Sequence, residues 1–207
     1  MNVEEQNLIR MFQKIDQLRN EIKQYMIAPD KIPVSVDDLC DVVRRMYGVE
    51  IEVREVAAPG KFLRGTLLLY NTNGQKKACI LVRAGQTDDW KRFTVAKELS
   101  QIVLDEEEDY STDAVVTITG LMHSLQLDMN GEGDYHPDTV VLNERLSELC
   151  AMEFLYPAEF HERDYSEIER GGLNYRKLAL RWKIPIVAAG WAHQADYRAA
   201  CKECRGR

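Results

Sequence analysis

The tetrapeptide Asn71-Thr72-Asn73-Gly74 separates two apolar runs, GTLLLYN at 65–71 and KACILVR at 77–83. Asn and Gly tolerate the left-handed backbone that a tight turn demands, so the two runs are expected to pair as an antiparallel hairpin. VEIEVREV at 49–56 reads as a further strand. Residues 89–104 then return to helical spacing, with Phe93, Ala96, Leu99 and Val103 on one face. A small sheet flanked by helices, an α+β fold, is the expected outcome.

The remaining segments fit that plan. SVDDLCDVVRRMYG reads as a helix with Ser35 as N-cap, Asp37 and Asp38 in its first turn, Arg44 and Arg45 in its last, and Gly48 as its stop. LNERLSELCAMEFLYP (142–157) is a helix ended by Pro157. YRKLALRWK and PIVAAGWAHQADYRAA form two helices hinged at Ile184-Pro185, with Pro185 suited to the first helical position. Arg176, Lys177, Arg181 and Lys183 give this pair the charge of a helix-turn-helix. Leu178, Ala179, Trp182, Val187 and Trp191 nevertheless sit where a core would be, so packing within the domain is expected and groove reading is not.

Residues 3–26 carry Leu8, Ile15 and Ile22 at seven-residue intervals, with Met11, Leu18 and Tyr25 three positions later. This heptad pattern suits a helix that pairs with a second copy or lies on its own domain. Pro29 and Pro33 mark a linker after it. Residues 105–139 are harder to read. The acidic run 105–109 suits a solvated surface, DAVVTIT (113–119) is a candidate strand, and DMNGEGDYHPD (128–138) is a loop. A calcium loop counted from Asp128 would have Gly133 in place but Thr139 where glutamate is required, so calcium is not expected. The division expected is an N-terminal helix at 1–28, a main domain at 31–195 and a tail at 196–207.

Composition narrows the class. Of 207 residues, 45% are apolar and 29% charged, as in a globular domain, and no stretch reaches the roughly 20 apolar residues a membrane span needs. The acidic start lacks the basic and apolar regions of a signal peptide, so a cytoplasmic location is expected. A net charge of -7 disfavours direct nucleic-acid binding over a broad surface. Five cysteines, Cys40, Cys79, Cys150, Cys201 and Cys204, suit free thiols in a reducing compartment. Cys201 and Cys204 have the spacing of a zinc half-site without a second pair.

Arg92-Phe93-Thr94-Val95-Ala96-Lys97-Glu98-Leu99-Ser100-Gln101 resembles the active-site helix of the ImmA/IrrE metallopeptidase family, whose form is roughly RFTLAHELGH. The helix from Glu144 through Ser147, Cys150, Ala151 and Leu155 to Pro157 resembles the family's later helix. IPVSVDDLCDVVRRMYGVEIEV looks like its opening helix and first strand, and LALRWKIPIVAAGWAHQ like its closing pair. The order and spacing cover residues 31–195. The resemblance implies a zincin-like fold with a small curved sheet, two site helices and an extra N-terminal helix. It also implies a protein partner, typically a helix-turn-helix repressor of a mobile genetic element or stress operon.

The chemistry of that motif needs two histidines four residues apart, which share one helical face and reach one Zn²⁺. A glutamate beside them takes the proton from the metal-bound water, and a later carboxylate completes the ligand set. Here Lys97 and Gln101 stand at the two histidine positions; Glu98 and Glu144 match the base and the third ligand. Lysine must lose a proton to donate a lone pair, at a cost of about 4.6 kcal/mol at neutral pH. A Gln amide is a weak zinc ligand beside imidazole. No metal, no cofactor and no working catalytic residue are therefore expected in the pocket of Lys97, Glu98, Gln101 and Glu144. With the cation gone, two carboxylates would face each other, so Lys97 is expected to pair with Glu144 while Gln101 hydrogen-bonds into the same pocket.

His123, His136, His161 and His193 are the only histidines that could replace the lost ligands, and ordinary surface or core roles are expected for them. The reading is a non-catalytic, protein-binding regulatory module. An active endopeptidase with unusual zinc ligands and a toxin–antitoxin component are the alternatives.

Overall fold

The computed structural model describes residues 32–57, 64–104, 139–195 and 197–198, together with Gln13, Asp16, Gln17, Arg19, Asn20, Glu21 and Gln24; side chains are described for these except Leu104 and 139–146. The order is α1 (Val36–Tyr47), β1 (Glu50–Val56), β2 (Gly65–Thr72), β3 (Gln75–Arg83), α2 (Asp88–Leu104) and α3 (Thr139–Leu155). A 3-10 turn (Ala158–Phe160), α4 (His161–Glu169), α5 (Tyr175–Trp182) and α6 (Ile186–Trp191) follow. The fold is α+β with a small open sheet.

The sheet order is β1-β3-β2. β2 and β3 are antiparallel, with Leu67 opposite Ile80 and Leu69 opposite Ala78. Asn73 and Gly74, at φ 53° and 84°, make the turn between them, as their sequence demands. β1 runs parallel to β3, pairing Ile51 with Ala78 and Val53 with Ile80. As the middle strand, β3 buries Ala78, Cys79, Ile80 and Val82, whereas β1 buries Ile51 alone. The difference follows from position: a central strand has neighbours on both sides, an edge strand on one.

α1 begins and ends where its sequence says. The Ser35 hydroxyl accepts from the Asp38 N–H at 3.1 Å, and Gly48 closes the helix at φ 62°. Leu39, Cys40, Val42 and Val43 are its buried face. α2 lies on β2 and β3, with α1 and α3 packed against it. Leu99 and Ile102 are almost wholly covered, each worth about 1.5–3 kcal/mol of apolar burial.

Three expectations need correction. Val187 is 42% exposed, because Ile184, Ala188, Ala189 and Ala192 take the inward positions of the closing pair, while Trp191 packs half-buried against the core as expected, its ring 6.4 Å from that of Phe93. Pro185 is the N-cap of α6, with an extended ψ of 141°, so the helix proper starts one residue later. α6 also stops at Trp191, and Ala195, Tyr197 and Arg198 are helical again after the break. His193 N–H bonds to the Gly190 carbonyl at 3.2 Å and Gln194 N–H to Trp191 at 3.0 Å, a tighter winding that breaks the helix after a weak helix former.

The described residues between Gln13 and Gln24 are helical, and Arg19 donates to the Glu159 carboxylate at 2.6 Å, which ties this segment to the turn after Pro157. The heptad positions Leu8 through Tyr25, the candidate strand 113–119, the loop 128–138, His123, His136, Cys201 and Cys204 lie outside the described residues. Among the described residues no helix is long and apolar enough to cross a membrane.

Candidate functional site

α2 carries the motif. Phe93, Ala96, Leu99 and Val103 turn inward, and three polar residues are buried with them: Thr94, Glu98 and Ser100. Two satisfy themselves on their own helix. The Thr94 hydroxyl donates to the Trp90 carbonyl at 2.8 Å, and the Ser100 hydroxyl to the Ala96 carbonyl at 2.7 Å. Glu98 cannot do so, because an ionised carboxylate only accepts. Its neighbour Lys97 supplies a cation: the ammonium stands 3.6 Å from Glu98 Oε1, with the lysine side chain 19% exposed and the glutamate 2%. Adjacent residues on a helix do not ordinarily face each other, so the lysine stem must fold back over its own turn.

Gln101 is half-buried one turn further on. Glu144 belongs to the first half of α3, and its side chain lies outside the described residues, as does the expected Lys97–Glu144 pair. The two site helices do meet. Ser100 of α2 hydrogen-bonds Cys150 of α3, a fully buried thiol that desolvation pushes up to about 12. Cys40 is likewise pushed up to about 11, chiefly by burial, so neither thiol is a nucleophile at neutral pH.

Gly65, at the start of β2, brings the sheet against the site. A Cβ there would fall 2.3 Å from Thr94 Cγ2, 3.0 Å from the Leu81 carbonyl and 3.6 Å from Glu98 Oε1. Only glycine lets strand and helix approach this closely. Next to it, the Arg64 guanidinium lies over the Trp90 ring at 3.1 Å from the centroid. Sequence reasoning passed over both contacts. A glycine at a strand start was their one signal.

The Lys97 ammonium and the Gln101 amide are poor zinc donors beside imidazole, and the Glu144 side chain lies outside the described residues.

A second polar cluster was not anticipated. Tyr156, just past α3, has its hydroxyl 3.0 Å from His193 Nε2, while its carbonyl accepts from His161 Nε2 at 2.9 Å. The carbonyl can only accept, so His161 carries a proton on that nitrogen. Asp164 is fully buried and receives Trp182 Nε1 at 2.8 Å, Arg163 Nε at 2.9 Å and Arg181 at 3.0 Å. Glu153, also fully buried, accepts from the Tyr197 hydroxyl at 3.2 Å and the Ala158 N–H at 3.3 Å. Burial, then Arg198, push the His193 pKa down, and its Nδ1 has no hydrogen-bond partner among the described residues. Burial and the Asp164 carboxylate push the Tyr156 phenol up. His161 and His193 thus come together, 6.0 Å between ring centroids, but both are engaged with Tyr156.

No protein-family model matches the chain, and no curated protein sequence matches it significantly. Among solved structures, it is similar to a Mycobacterium tuberculosis transcriptional regulator at 15% identity and a TM-score of 0.44, over 91% of this chain and 50% of that one. The chain spans about half the length of that regulator, and a likeness this distant carries neither mechanism nor partner across.

Proposed function

We propose that the chain is a zincin-like, metallopeptidase-related domain of the ImmA/IrrE kind that has exchanged its metal for an internal cation and acts by holding a protein partner. The observation that carries this reading is the Lys97 ammonium beside the buried Glu98 carboxylate, at 3.6 Å. A general base in such a site needs a water whose proton a Lewis acid has loosened. An ammonium has no vacant orbital to offer that water. It neutralises the carboxylate instead and leaves a pocket able to bind but not to hydrolyse. The partner implied by the resemblance is a helix-turn-helix repressor, gripped through the former substrate groove.

Metal analysis tests this directly. Wild-type protein is expected to purify without stoichiometric zinc. The Lys97→His, Gln101→His double variant should take up one zinc per chain, because the scaffold and Glu144 would supply the remaining geometry. Zinc in the wild type together with chelator-sensitive cleavage of a polypeptide would establish an active peptidase with unusual ligands. A double variant that folds but gains no zinc would refute the kinship of the site.

A further inference from the structure

Of the six large apolar side chains left exposed among the described residues, three fall close together around the junction of α5 and α6: Leu180, Ile186 and Val187. Leu180 is 73% exposed and Ile186 53%. They flank the Lys183–Pro185 turn that joins α5 to α6, and these two short helices pack on each other. Scattered exposed leucines need no explanation, but a group of this kind on one hairpin does.

The charge around the group is equally uneven. Arg176, Lys177 and Lys183 are exposed, and none forms an ion pair among the described residues. Arg181, in the same stretch, is by contrast bound to Asp164 and Glu167. Arg176, Lys177 and Lys183 stand at positions i−4, i−3 and i+3 from Leu180, the spacing of one helix face, so three cations without an ion pair among the described residues border this apolar ridge on a chain whose net charge is -7.

This combination discriminates among occupants. A second copy docking symmetrically would bring the same three cations face to face, which like-charge repulsion opposes. Duplex DNA would meet phosphate-binding cations, but the start of the second helix, where a helix-turn-helix reads base edges, offers Pro185, Ile186 and Val187 and no side-chain donor. An amphipathic helix with an apolar stripe flanked by Asp and Glu meets both requirements, since its stripe covers the ridge and its carboxylates meet the rim. We infer that the α5–α6 ridge is a docking surface for an acidic amphipathic helix of a protein partner. The inference does not depend on how the Lys97 pocket is read.

Fluorescence anisotropy on the full chain tests it with three probes: a synthetic amphipathic peptide of roughly 20 residues with Leu on one face and Glu flanking it, its Lys-flanked counterpart, and a duplex of about 20 base pairs. The Glu-flanked peptide should bind, more weakly as salt rises, and the Lys-flanked one should not. Leu180→Asp should weaken binding at least about tenfold, and Lys177→Glu should weaken it and flatten the salt dependence. Both positions are exposed, and an unchanged circular dichroism spectrum would show that the variants fold. Equal binding of the two peptides, preference for the duplex, or no peptide binding up to about 1 mM would overturn the inference. So would a homodimer that Leu180→Asp dissolves.

Discussion

The two buried polar regions of this molecule are built on opposite plans. Along α2, the Thr94 and Ser100 hydroxyls donate to the carbonyl one turn back and the Lys97 ammonium stands beside its sequence neighbour Glu98, so the shortest bond of each hydroxyl lies within its own helix, with Gln86 and Cys150 as additional contacts. Around Tyr156 the partners come from the ends of α3 and α4, from α5 and from beyond α6, with Glu153 reaching Tyr197 and Asp164 reaching Trp182. A locally satisfied polar group can be exchanged while its helix survives. A group that joins four segments cannot, because each partner it loses is stranded without water.

Asp164→Ala should therefore give the largest loss of stability. Arg163 and Arg181 are exposed enough to turn to solvent, at 59% and 39% of their side chains, but the buried Trp182 N–H is not. The expected loss is about 3 kcal/mol in denaturant unfolding, against less than about 1 kcal/mol for Ser100→Ala. Equal losses for the two would break the contrast.

Gly65→Ala comes next, at about 1–3 kcal/mol, since its Cβ would collide with the buried, β-branched Thr94. Combining it with Thr94→Ser removes the clashing methyl and should restore most of the loss. A double variant no better than Gly65→Ala alone would shift the blame to the Leu81 carbonyl.

The smallest effect should be the pH dependence of the second cluster. His193 titrates below its ordinary value of 6.5 when folded, so protons bind the unfolded chain more readily. Its contribution is fully present above about pH 6.5 and is lost as pH falls below that value toward the folded pKa. His193→Gln should flatten the acid limb of thermal stability in that window. An unchanged limb would place the titration on other groups.

How much of this could be read from the sequence follows the same division. The hairpin, α1 with both its caps, and α2 with its inward face follow from period, turn chemistry and capping residues, all of them local signals. α4 was missed because its buried positions are His161 and Asp164, so an apolar period had nothing to register. The Tyr156 cluster was missed for a related cause. Its partners are as much as 44 residues apart, and a Tyr, a His and a buried Asp carry no common spacing. At the Lys97 pocket the residue types were readable and the glycine that presses the strand against them was not, since close approach is a property of two segments and neither shows it alone.

The placement of β3 between its neighbours imposes an order in time. β1 is complete at Val56, yet the strand it pairs with begins at Gln75, after β2 has been made. A growing chain must hold β1 unpaired through that interval, and the hairpin, whose halves are adjacent, can close first. Glu50, Glu52, Arg54 and Glu55, all exposed in the finished fold, suit a strand that has to wait in water without finding the wrong neighbour. Of the three described strands, the last to be synthesised is thus the template, and the first is the one added to it.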